Sequence, residues 1–190
     1  GEVIYSLDVK RGVPFKKVVE LIKKTGAESN SIIITYNANQ AEEVYRLAPE
    51  MLISVSLRNA ADLERLKSMG IPEGNMVAFV GTSEPNPSVY ELLGSRKIPT
   101  ILGTMGNLDK QAVTRGEEVY RNLYRKGADV LSTDNPSAAL KAAAAVAAER
   151  KAGIVISDPN QVVNYHRKNS AENMQKPYVI LISADGFRHD

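Results

Sequence analysis

The chain has 190 residues, 43% of them apolar and 24% charged, with a formal charge of +2 and no cysteine. This composition is that of a globular chain large enough to bury a core. It excludes disulfides, thiolate metal sites and cysteine nucleophiles, and its scattered 24 basic and 22 acidic residues form no basic stripe for nucleic acid.

Six short apolar, β-branched runs, at 3–9, 31–35, 51–56, 76–80, 99–105 and 129–133, alternate with helical stretches at 14–24, 39–47, 59–69, 87–93, 110–126 and 136–151. A strand followed by a crossover helix, repeated, predicts a parallel sheet covered by helices. The strands read as continuously apolar, as expected where both faces are covered.

Within this order, Pro14 opens the first helix, Val18, Val19, Leu21 and Ile22 form its apolar stripe, and Gly26 stops it. Asn59 is an N-cap for the third helix, which Gly70 and Pro72 close. Asp109 or Asn107 is expected to cap one long fifth helix carrying Val113, Val119, Tyr120 and Leu123. An Asp or Asn before Pro136 is expected to cap the sixth, which leaves Asp134 divided between capping that helix and facing the mouth of the sheet. The alanine tract at 142–148 is a strong helix former without functional meaning. Gly103 and Gly106 do not make a phosphate loop, because the Gly-x-x-x-x-Gly-Lys frame is missing.

After residue 150 the rhythm breaks. Residues 151–175, with a short apolar run at Ile154-Val155-Ile156 and a polar, aperiodic stretch over 164–175, read as a linker or loosely packed extension; 157–175 are expected to be mobile and open to proteases, and 176–190 resume as an apolar strand. No run reaches the ~18 apolar residues of a membrane span. No signal peptide is visible, and an opening that enters a strand at once suggests missing upstream sequence. The compartment stays open between cytoplasm and an exported, soluble location.

Asp8 and Lys10 are two apart at the end of the first strand, so both point to one face where parallel α/β proteins place chemistry. An ordinary ion pair explains the same spacing. The two histidines, His166 and His189, both fall after residue 150 and read as solvated surface groups.

Four segments in order carry a resemblance: Leu7-Asp8-Val9-Lys10, Ile32-Ile33-Ile34-Thr35-Tyr36, Ile101 to Asn107, and Gly127-Ala128-Asp129 through Thr133-Asp134-Asn135-Pro136. Residues 3 to about 140 resemble the C-terminal two thirds of a glycerophosphodiester phosphodiesterase, a (β/α)8-barrel family. The resemblance implies an α/β, partial TIM-like barrel of about six parallel strands with covering helices and a C-terminal extension, over 1–150. It implies Lys10 as an active-site lysine, Asp8 as a ligand to a divalent metal such as Ca or Mg, and Thr104 and Asp134 as substrate contacts. The substrate would be a glycerol phosphodiester of lipid or glycerol phosphodiester metabolism. The family's His-Arg-Gly strand, Glu-x-Asp strand and His-Asp hairpin do not occur here, Asp8 replaces a glutamate, and Gly103 stands where an aromatic walls the pocket. These departures favour an inactive segment, or a non-catalytic barrel-like module packing against another domain or subunit. Open sheet edges would then be covered by a second copy, an adjoining domain or the 179–182 strand.

Residues 179–190, with Asp185-Gly186-Phe187-Arg188, resemble the opening strand of type I phosphodiesterases and nucleotide pyrophosphatases. That resemblance implies Asp185 as a metal ligand and 176–190 as the start of a second domain.

Overall fold

The computed structural model describes residues 3–151. The linker expected at 151–175, the strand at 176–190 and Asp185 therefore lie outside the described residues, apart from Lys151.

Six strands form one parallel sheet in sequence order: β1 (Tyr5–Asp8), β2 (Ser31–Ile34), β3 (Leu52–Ser56), β4 (Met76–Phe79), β5 (Thr100–Gly103) and β6 (Val130–Ser132). Each is followed by helix: α1 (Phe15–Thr25), α2 (Ala38–Leu47), α3 (Ala60–Ser68), α4 (Pro87–Ser95), the pair α5 (Asn107–Arg115) and α6 (Glu118–Lys126), and α7 (Pro136–Lys151). The strands curl into a partial TIM-like barrel, and among the described residues β1 and β6 each pair on one side only.

The two faces of the sheet are not equivalent. Ile33, Ile53, Val55, Ala78, Leu102 and Leu131 point outward into the main core beneath the helices. Residues of the other parity, Ile32, Val77 and Ile101, form a smaller inner cluster, flanked by partly buried Ile4, Leu52, Phe79 and Val130. The continuous apolar pattern of the strands serves both clusters, although the inner one is thinner than full coverage of two faces implies.

Local signals explain most element ends. Asn37 and Asn59 are side-chain N-caps, accepting from the N–H of Gln40 and Asp62 at 3.0 Å each. In return Gln40 and Asp62 accept from the N–H of Tyr36 and Arg58, at 2.8 and 2.9 Å, which fixes the chain as it leaves β2 and β3. Gly26 ends α1 in the left-handed region, as its position predicts.

Three expectations are corrected. Pro14 is the N-cap residue of α1, and Phe15 joins Val19 and Ile22 in the buried stripe while Leu21 is 62% exposed. The long fifth helix is two helices, broken at Gly116, whose φ of 85° suits glycine; Val113 is 79% exposed as a result. Gly106, not Asn107 or Asp109, occupies the N-cap of α5. As expected of an Asn before Pro136, Asn135 caps the start of α7, accepting weakly from the N–H of Ala138 at 3.4 Å, which leaves Asp134 free of that task. α7 is held to α6 by Arg125, which donates to Glu149 at 2.7 and 3.0 Å and also pairs with Glu118.

Candidate active site

The C-terminal ends of the strands form a mouth. Asp8 closes β1 and lies opposite Ile34 in the register, so Lys10 and Tyr36, each two residues on, leave the sheet at one level. The Tyr36 hydroxyl donates to Asp8 Oδ1 at 2.7 Å, and Lys10 Nζ donates to Oδ2 at 3.1 Å. The Tyr36 hydrogen bond, joined by Lys10, outweighs partial burial and holds the Asp8 carboxyl below its ordinary value. Asp8 and Lys10 therefore do form the ion pair that their spacing allows, with a tyrosine as third member. With the Lys10 side chain 62% exposed, the pair adds little to stability.

Beyond the ends of β5 and β6, a second carboxylate is buried. Asp109 sits in the first turn of α5 and reaches to the β6–α7 connection. Its Oδ2 accepts from the Asp134 N–H at 2.8 Å, and its Oδ1 accepts from the Thr133 and Tyr120 hydroxyls at 2.9 Å each. Burial raises its pKa, but the Asp134 N–H and the Thr104, Thr133 and Tyr120 hydroxyls together bring it below the ordinary carboxylate value.

Of the sequence-predicted site residues, Asp8 and Lys10 are brought together and Asp134 is exposed at the mouth end of β6. Thr104 is fully buried, with N–H and hydroxyl on Ser132 O at 2.7 and 3.1 Å, so its side chain is a pin within the fold and does not reach the mouth. It follows β5 directly and continues the outward parity of Leu102, opposite to that of Ile101. The place of Gly103 also has a physical cause. A Cβ there would lie 3.1 Å from Thr82 Cγ2 and 3.4 Å from Phe79 Cε2, so the Phe79 ring of the neighbouring strand already occupies that side.

Tyr36 and Asp109 are the members that residue patterns missed. Tyr36 shares parity with Lys10 in a paired strand, a signal that needs the register. Asp109 resembles a helix cap in sequence, and its partners Tyr120 and Thr133 are 11 and 24 residues away. A cleft of ≈ 230 Å³ between the starts of α2 and α3, lined by Val55, Leu66, Asp62 and Arg65, lies beside the mouth and includes Tyr36 but neither Asp8 nor Lys10.

Among the described residues no group of three or more His, Cys, Asp or Glu side chains converges to hold a metal ion. Asp8 has the chemistry of a ligand to a hard divalent cation, but both its oxygens are already engaged, and alone it does not make a metal centre.

Fold and site together define a partial (β/α) barrel with a charged, hydroxyl-bearing site at the C-terminal ends of its strands. In kind, the fold is that of glycerophosphoryl diester phosphodiesterases: it is similar to the solved structure of the enzyme of that name from Parabacteroides distasonis ATCC 8503, with a TM-score of 0.67 and 25% sequence identity over 75% of this chain. The match covers 51% of that structure, so the chain spans about half its length. No family model and no curated protein matches the chain. No helix among the described residues is long and apolar enough to cross a membrane.

Proposed function

We propose that this segment is glycerophosphodiester phosphodiesterase-like, derived from a phosphoric diester hydrolase of glycerol phosphodiesters, and that as this chain it binds such a diester without turning it over. The observation that carries the reading is the Asp8–Lys10 pair at the strand ends of a fold similar to that of a glycerophosphoryl diester phosphodiesterase.

Hydrolysis of a phosphodiester needs charge on the phosphoryl oxygens to be neutralised, a nucleophile activated and the leaving oxygen protonated. Lys10, exposed and cationic, serves the first need by pairing with a phosphoryl oxygen. Asp134, exposed at the opposite side of the mouth, can accept hydrogen bonds from glycerol hydroxyls. Asp8 positions the Lys10 ammonium, and in a site completed by further carboxylates it would be one ligand to Ca or Mg. The proton transfers have no histidine within 3–151 to perform them, which is why turnover is not expected.

A second reading is a non-catalytic barrel-like module. It is favoured by the same lack of histidines within 3–151 and by the one-sided pairing of β1 and β6 among the described residues, edges that a second copy or an adjoining domain would cover. The two readings separate on binding. Calorimetric titration with sn-glycero-3-phosphocholine, with Mg or Ca present, is expected to give saturable binding that Lys10→Ala abolishes, and no hydrolysis of that compound or of bis(p-nitrophenyl) phosphate. Binding that is absent, or indifferent to Lys10, favours the module; metal-dependent turnover lost in Asp8→Ala would overturn the inactive assignment.

A further inference from the structure

We propose that Asp109 is a positioning residue, which fixes the β6–α7 connection so that Asp134 is held at the mouth for contact with the glycerol end of the substrate; the substrate role of Asp134 rests on the function proposed above. The geometry is unusual for an acid in the first turn of a helix. At that place a carboxylate commonly reaches back to its own helix start. Asp109 instead crosses to another element and grips it at two successive residues, the Thr133 hydroxyl at 2.9 Å and the Asp134 N–H at 2.8 Å.

The grip is built to be rigid. Asp109 is 7% exposed and Tyr120, whose hydroxyl donates to the same oxygen at 2.9 Å, is fully buried. Thr133 in turn accepts from the Asn135 N–H at 3.0 Å, so the restraint extends along Thr133, Asp134 and Asn135, up to the cap of α7. Charge-assisted hydrogen bonds of this kind are shorter and stronger than neutral ones. The consequence is a division of labour: the backbone of Asp134 is held from below by a buried carboxylate, while the rest of the residue is exposed to solvent at the mouth.

Asp109→Asn tests this directly in the full 190-residue chain, because the amide removes the charge and leaves one accepting oxygen where the Asp134 N–H and the Thr133 and Tyr120 hydroxyls use two. In a ¹⁵N-labelled sample the Thr133 and Asp134 amides are expected to shift and the Asp134 N–H to exchange about tenfold faster, while Ile33 and Ile53 stay unmoved. Binding of sn-glycero-3-phosphocholine should weaken in Asp109→Asn and in Asp134→Asn, and the double variant should be no weaker than Asp134→Asn alone, as for a residue acting through another. Unchanged Asp134 exchange, or additive losses in the double variant, would overturn the assignment. If the amides respond but Asp134→Asn leaves binding unchanged, the substrate role given to Asp134 fails, and with it the positioning role, while the site centred on Lys10 stands. Should Asp109→Asn not fold, Thr133→Val removes the hydroxyl that links Asp109 to the Asn135 N–H but leaves the contact of Asp109 with the Asp134 N–H, and the same local shift and partial loss of affinity are expected; their absence overturns the proposal.

Discussion

The Tyr36 hydroxyl lies 2.7 Å from Asp8 Oδ1, reaching from the end of β2 to the end of β1. This contact is the largest influence lowering the Asp8 pKa. Tyr36→Phe keeps the ring, is 63% exposed in the parent residue, and removes only the donor. The Asp8 titration midpoint, followed by carboxyl ¹³C NMR, is expected to move up towards the ordinary value near ~3.9. A midpoint that does not move would show that the hydroxyl does not act on Asp8.

The buried Asp109 carboxylate makes stability depend on acid in a defined direction. Its folded pKa is below the unfolded value, so its contribution is complete above about pH 4 and is lost as pH falls through the folded pKa. Asp109→Asn is expected to cost about 1–3 kcal/mol at pH 7, and the gap from the parent chain should narrow by pH 3. Urea unfolding at the two pH values measures it; a gap that is constant or wider at pH 3 contradicts the assignment.

Gly127 ends α6 at φ 125°, and a Cβ there would stand 3.0 Å from Cβ and Cγ of Tyr90 on α4. Backbone strain and a clash with a buried ring combine. Gly127→Ala is expected to cost about 2–4 kcal/mol, read as a lowered thermal midpoint. An unchanged midpoint would contradict both the strain and the clash.

Much of the architecture was legible because it rests on local chemistry. The six apolar runs fall on the six strands, Gly26 and Asn59 mark helix ends by conformations and hydrogen bonds that only a few residue types supply, and Asp8 and Lys10 meet because strand parity puts them on one face. What escaped depends on distant partners. Val113 looks core-facing until Gly116 breaks the helix, and Thr104 looks available until β5 parity turns it into the core. Asp109 reads as a cap because nothing within a few residues announces Thr133 or Tyr120. Tyr36 acquires a role only once the β1–β2 register sets it level with Lys10.

The central claim, a glycerophosphodiester-binding site at the ends of the strands, is tested most directly by ¹⁵N chemical-shift mapping of the 190-residue chain titrated with sn-glycero-3-phosphocholine. Saturable shifts are predicted at Asp8, Lys10, Tyr36 and Asp134, lost in Lys10→Ala. Shifts confined to the cleft between α2 and α3, or no saturable shifts at all, would contradict it.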